Sequence, residues 1–140
     1  MKCYAVFDTN VRVSSLLTKR TDTATAMVVD AISIGDVIPL YNQEILKEYR
    51  EVLQRDKFPF SELSVQRILK MIRDFGIEVF PSPTGKILPD MTDLVFYEVV
   101  MEKRGDGAYL ITGNTKHFPK EEYIVTPAEM MEILNKNKFL

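Results

Sequence analysis

The chain has 140 residues and a mass of 16.1 kDa, enough for one domain with its own core. Its hydrophobic fraction of 46 % excludes a disordered chain, and no stretch approaches the ~20 apolar residues of a membrane span. With 18 basic and 20 acidic residues the formal net charge is -2, which excludes a strongly basic nucleic-acid binder but suits an enzyme that needs carboxylates in its cleft. The single cysteine, Cys3, opens an apolar strand and reads as a small buried filler. Without a leader-like segment at Met1, the expectation is a cytoplasmic protein with no membrane partner.

Strand and helix signals alternate along the chain. Cys3 to Phe7 is a short apolar strand that ends on Asp8. Thr23 to Ile34 reads as a helix stopped by Gly35, and Val37 to Tyr41 as the next strand. Asn42 caps the helix Gln43 to Arg55, in which Ile45, Leu46, Tyr49, Val52 and Leu53 recur at helical spacing. A further helix spans Leu63 to Phe75. Ile77 to Phe80 is a strand closed by Pro81 and Pro83. Asp90 caps a helix from Met91 to Lys103, followed by strands at Ala108 to Thr112 and Glu122 to Val125. Thr126-Pro127-Ala128-Glu129 is a helix start with capping Thr, Pro at the first position and Glu at the third.

Short βα units of this kind predict a single α/β domain over residues 1–140. The expected fold class is a three-layer α/β/α sandwich around a mostly parallel sheet of about five strands. Such sheets bind ligands beyond the carboxyl ends of their strands.

The candidate site residues fall at those ends or at helix starts. Asp8 follows the first strand directly. Glu48 borders the apolar stripe of its helix, with surface pairing to Lys47 or Arg55 as the plainer reading. Asp90 and Asp93 sit at a helix start, where acids also serve as caps; Asp90 is the better cap and Asp93 the better ligand. Thr112-Gly113-Asn114 closes a strand, with Gly113 read as permitting a tight turn and Asn114 as a neutral oxygen ligand, a water holder or a cap. His117 is the only histidine, so no zinc signature exists. Oxygen ligands of this type suit Mg²⁺ or Mn²⁺, which support phosphodiester hydrolysis. Crowded acids should also raise one another's pKa values. No glycine-rich phosphate loop and no Gly-x-Ser-x-Gly elbow is present.

These segments resemble, in order, the motifs of the PIN domain family, and more closely the toxin components of toxin–antitoxin systems within it. Phe7-Asp8-Thr9-Asn10-Val11 is similar to the opening Asp-Thr-Asn motif. Ile45 to Leu53 resembles the segment of the second acid, which places it at Glu48. Leu88-Pro89-Asp90-Met91-Thr92-Asp93 resembles the third, with Asp93 the match and Asp90 accessory. Leu110 to Pro119 resembles the fourth, with a His-Phe-Pro variant at His117, and Ile124 to Glu129 the usual ending.

The resemblance implies Mg²⁺- or Mn²⁺-dependent endoribonuclease action on single-stranded RNA, with Asp8, Glu48 and Asp93 catalytic. Asn114 joins them on the metal, and Asn10, Asp90, Thr112 and His117 are accessory. It also implies a homodimer and a small antitoxin protein as partner. One departure is that many relatives carry Asp where this chain has Asn114, which weakens a second metal. A non-catalytic PIN-like module binding RNA or protein, and a metal-dependent DNA nuclease or phosphatase, are the alternatives. Lys19, Arg20, Lys86, Lys103, Arg104 and Lys116 are candidate phosphate contacts.

Overall fold

The computed structural model describes residues 2–11, 13 and 23–138. Five parallel strands form one sheet: β1 (Cys3–Phe7), β2 (Val37–Tyr41), β3 (Ile77–Glu78), β4 (Tyr109–Ile111) and β5 (Ile124–Val125), in the spatial order β3-β2-β1-β4-β5. Ala5 pairs with Pro39 on one side and with Tyr109 on the other, so β1 is central. Parallel strands need crossovers. Among the described residues α1 (Ala24–Ser33) lies between β1 and β2, α2 (Gln43–Leu53) and α3 (Glu62–Phe75) between β2 and β3, and α4 (Leu94–Glu102) between β3 and β4. A 3₁₀ turn over Thr115–His117 lies between β4 and β5, and α5 (Pro127–Lys138) follows β5.

Alternation along the strands divides the apolar residues between two cores. Ala5, Phe7, Ile111 and Val125 face a cluster with Val28, Ile32, Met130 and Leu134 from α1 and α5. Val6, Leu110 and Ile124 face the opposite way, onto Ile45, Tyr49, Leu69, Phe96 and Val100 from α2, α3 and α4. The result is the expected three-layer α/β/α arrangement. Cys3 is buried and unbonded to another cysteine, and burial pushes its thiol pKa up.

Local signals placed most element starts. Thr23, Asn42 and Ser61 each accept a hydrogen bond from the backbone three residues on, capping α1, α2 and α3. The Thr126–Glu129 box is reciprocal: the Thr126 amide donates to Glu129 Oε1 at 2.9 Å and the Glu129 amide to Thr126 Oγ1 at 3.2 Å. Gly35 sits at φ +84 just beyond α1, a conformation that favours glycine.

Four expected elements are corrected. The strand at Ile77 to Phe80 stops at Glu78, because Phe80 turns out to solvent and Pro81 and Pro83 have no N–H to donate. The helix at Met91 to Lys103 begins as a 3₁₀ turn over Met91–Asp93, and the α-helix starts only at Leu94. The strands expected at Ala108 to Thr112 and at Glu122 to Val125 pair only over Tyr109–Ile111 and Ile124–Val125.

Gly76 ends α3 for lack of space rather than for backbone freedom. A Cβ there would lie 2.4 Å from the Ile72 carbonyl oxygen and 2.5 Å from that of Pro39. Both are backbone atoms and cannot swing aside. Gly76→Ala should therefore cost at least ~2 kcal/mol in urea unfolding, by forcing α3 and β2 apart. A change within experimental error would show that this junction is loose.

Candidate metal centre at the carboxyl edge of the sheet

The chain runs from β1 to β2 on one side and returns as β4 on the other. The crevice between β1 and β4 is therefore the topological switch point, where open parallel sheets bind ligands. Asp8 follows β1 and Thr112 follows β4, so both stand at its rim. Both are buried, at 5 % and 0 % exposure. The Thr112 hydroxyl donates to Asp8 Oδ2 at 2.8 Å and accepts from the Asn114 amide at 3.0 Å. The Asp8 carboxylate also accepts from the backbone amides of Thr9 and Asn10. Asn10 thus contributes its main chain, and its side chain is exposed.

Helix α2 brings Glu48 to this edge. Ile45, Leu46, Tyr49 and Leu53 anchor the helix, and Glu48 lies beside that stripe, half-buried. The Thr9 hydroxyl donates to Glu48 Oε2, and the Tyr49 hydroxyl donates to the carbonyl of Phe7. Two consecutive residues of α2 are thereby tied to the residues on either side of Asp8. The surface pairing considered for Glu48 does not form: Lys47 lies 4.0 Å from Glu51 instead. Sequence reasoning did not single out Thr9 or Tyr49 as supports of the site. Thr9 stands beside Asp8, but nothing local says that its hydroxyl meets a helix 39 residues away.

Asp90 is the cap that its position suggested. Asp90 Oδ1 accepts from the Thr92 amide at 3.0 Å and from the Thr92 hydroxyl at 2.7 Å, capping the 3₁₀ turn. These bonds hold its pKa low. Asp93 is buried. His117 Nδ1 lies 3.1 Å from Asp93 Oδ2, and His117 Nε2 lies 2.9 Å from Asn114 Nδ2. Asn114, expected as a neutral oxygen ligand, thus has its amide nitrogen on His117. Gly113 is a correction. Its φ is not positive and a Cβ there would meet nothing within 4 Å, because the Thr112 hydroxyl closes the turn in place of a left-handed residue.

Among the expected phosphate contacts, Lys116 follows β4 on the site's side of the sheet and is exposed. Lys103 and Arg104 precede β4 and so belong to the opposite edge. Arg104 is used there, donating to the Ala108 carbonyl and stacking over Tyr123 at 4.3 Å. Asp106 lies in the same turn before β4, away from the crevice. Lys86 is exposed on a loop. Lys19 and Arg20 lie outside the described residues.

The electrostatics follow from the geometry. Burial raises the pKa of Asp8 above its ordinary value. Burial raises that of Glu48 too, and the charges of Asp8, Asp93 and Asp90 add to the effect. Asp93 is raised by burial, then by Asp8 and Asp90. Among the described residues no Lys or Arg forms an ion pair with any of the three. An acidic cluster with no pairing Lys or Arg among the described residues fits a divalent metal, and its hard oxygen donors suit Mg²⁺ or Mn²⁺. Asp90, Asp93 and His117 also offer ligand atoms within 4.8 Å of one another. A depression of ≈ 380 Å³ lies beside Glu48, bordered by Glu44, Met91 and Thr92; Asp8 and Asp93 do not line it.

A pH dependence follows. A carboxyl whose folded pKa is raised binds protons more readily in the folded state than in the unfolded one. The metal-free protein should therefore gain stability as pH falls from neutrality through the raised values of Asp8, Glu48 and Asp93 towards 3.8 and 4.5, the ordinary Asp and Glu values. Saturating Mn²⁺ should stabilise most at neutral pH and remove this gain, because it stabilises the ionised forms. Melting curves between neutral and mildly acid pH, with and without Mn²⁺, would show it. A metal-free protein that only loses stability on acidification would contradict the crowding.

Among the described residues no helix is long and apolar enough to cross a membrane. Neither the curated proteins nor the solved structures contain a match to the chain. A family model described as PIN domain matches residues 4–116, from β1 into the 3₁₀ turn after β4. That span includes Asp8, Glu48, Asp90 and Asp93. The chain belongs to the PIN domain family, and its fold is of the nuclease type.

Proposed function

We propose that this PIN domain is a Mg²⁺- or Mn²⁺-dependent endoribonuclease that hydrolyses phosphodiester bonds in single-stranded RNA and acts as the toxin of a toxin–antitoxin pair. The observation that supports the reading is that Asp8, Glu48 and Asp93 lie near enough at the carboxyl edge for the charge of Asp8 to raise the pKa values of the other two, with no pairing Lys or Arg among the described residues. In this reading the three carboxylates hold the metal. Thr112 and the amides of Thr9 and Asn10 orient Asp8, Thr9 orients Glu48, and Asp90 shapes the turn that presents Asp93. A bound divalent cation would lower the pKa of a water and neutralise charge developing on the phosphodiester. Lys116, exposed beside the site, is suited to a neighbouring phosphate. The reading includes a homodimer and a small antitoxin protein as partner.

The test is cleavage of a structured RNA pool with Mg²⁺ or Mn²⁺, comparing wild type with Asp8→Asn. Single-stranded DNA, flapped DNA and a phosphomonoester belong in the same panel. Cleavage of RNA that needs both metal and Asp8 supports the reading. Cleavage of DNA or of the monoester alone would replace it with another hydrolase, and RNA binding without cleavage with a non-catalytic module. Growth arrest on expression, relieved by a neighbouring gene product, separates a toxin from a housekeeping nuclease.

A further inference from the structure

Asn114, His117 and Asp93 form a chain of side-chain contacts, 2.9 Å from amide nitrogen to Nε2 and 3.1 Å from Nδ1 to carboxylate. An amide nitrogen only donates, and an ionised carboxylate only accepts. Nε2 must therefore accept from Asn114, while Nδ1 carries the proton that Asp93 receives. The neutral ring meets both demands in one tautomer, with its hydrogen on Nδ1. The bond made by one ring nitrogen decides what the other can do. Both nitrogens are committed here, and no lone pair of the imidazole is left for a cation.

Nearness alone would place His117 with Asp90 and Asp93 as a third metal ligand. The hydrogen-bond directions speak against it. We infer that His117 is a positioning residue that holds the Asp93 carboxylate in place, and that the Asn114 amide nitrogen locks its tautomer. This rests on reading Asp93 as a metal-binding group. The support matters because Asp93 ends a three-residue 3₁₀ turn and stands at the N-cap of α4 with no side-chain capping bond of its own. Asp8, by contrast, is fixed by a strand end, a hydroxyl and two backbone amides. A carboxylate has about four lone-pair sites, so one bond from His117 orients Asp93 without exhausting it. Outer contacts of this kind typically change metal affinity by about 10- to 100-fold when removed.

His117 is the chain's only histidine, so ¹⁵N-histidine labelling reports one ring. In metal-free protein at a pH where the ring is neutral, the hydrogen is expected on Nδ1, and Asn114→Ala should return the ring to a tautomer mixture. His117→Ala should weaken Mn²⁺ binding by roughly 10-fold or more in calorimetry. His117→Asn, whose amide can donate from the place of Nδ1, should recover most of that loss. Pulsed electron paramagnetic resonance of the Mn²⁺-loaded wild type should show no imidazole nitrogen coupling. Circular dichroism checks each variant, and if His117→Ala does not fold, His117→Asn and Asn114→Ala still decide. An Nε2-protonated ring, imidazole coupling to Mn²⁺, or unchanged affinity in His117→Ala would each overturn the positioning role. A wild type that binds no Mn²⁺ but has the Nδ1-H ring would instead sink the metal reading of Asp93, and the positioning role with it.

Discussion

Asp8→Asn is expected to lower metal-dependent cleavage on the order of 100-fold or more while leaving the metal-free fold at least as stable as wild type. The two effects have one cause. Asp8 is buried at the end of the central strand, and no Lys or Arg among the described residues neutralises it. Its surroundings penalise the charged form, and burial is the largest part of that penalty. Asparagine keeps the shape and one acceptor oxygen for Thr112 or the Thr9 and Asn10 amides, but removes the charge. The metal loses a ligand, a larger loss than that of an outer contact. The metal-free protein loses a buried charge that its surroundings penalise. A gain of about 1 kcal/mol would raise the melting temperature by roughly 3–6 °C at this size.

Cleavage and melting should be measured on one preparation. Lost activity with a lowered melting temperature would make Asp8 a structural residue whose removal damages the site indirectly. Unchanged cleavage would remove Asp8 from the metal site.

The largest stability effect is expected at Phe96. Its ring is fully buried on α4, one turn beyond Asp93, and lies 6.3 Å from that of Tyr49. Tyr49 in turn follows Glu48 and bonds to the carbonyl before Asp8. Phe96→Ala should cost about 3–5 kcal/mol, a large part of the roughly 5–15 kcal/mol that holds such a domain together. The midpoint of urea unfolding would fall without a change in slope.

Met130→Ala is the control. Met130 is equally buried, but in the core on the other face of the sheet. It should cost a comparable ~2–5 kcal/mol. Only the Phe96 variant should also weaken Mn²⁺ binding, because only Phe96 packs under the elements that carry Glu48 and Asp93. Equal weakening by both would mean that the site feels general stability and not this packing. A loss below about 1 kcal/mol in Phe96→Ala would mean that its pocket collapses around the smaller side chain.

The order of strands and helices was legible in the sequence because it is local. Apolar periods of two and of 3.6 mark strands and helices, and Thr23, Asn42 and Thr126 mark helix starts by a chemistry that acts over three residues. The placement of Asp8 at a strand end was legible for the same reason. Edges were harder. The Ile77 strand lost two residues and the Met91 helix began as a 3₁₀ turn, because at element ends packing and solvent outweigh propensity.

The partners in the site were decided by tertiary structure alone. Thr112 meets Asp8 across 104 residues only because β4 pairs with β1, and no local pattern specifies which strand becomes the neighbour. Glu48 was ambiguous on its helix until α2 packed its stripe and brought Glu48 against Thr9. His117 had no assignable partner until the turn after β4 met the turn before α4, 24 residues away. Residue type and period determine which groups a chain possesses and which face each element shows. Which hydroxyl, ring or carboxylate then lies within 3 Å of another depends on strand order and helix packing, and these minimise the free energy of the whole chain, not of any one segment.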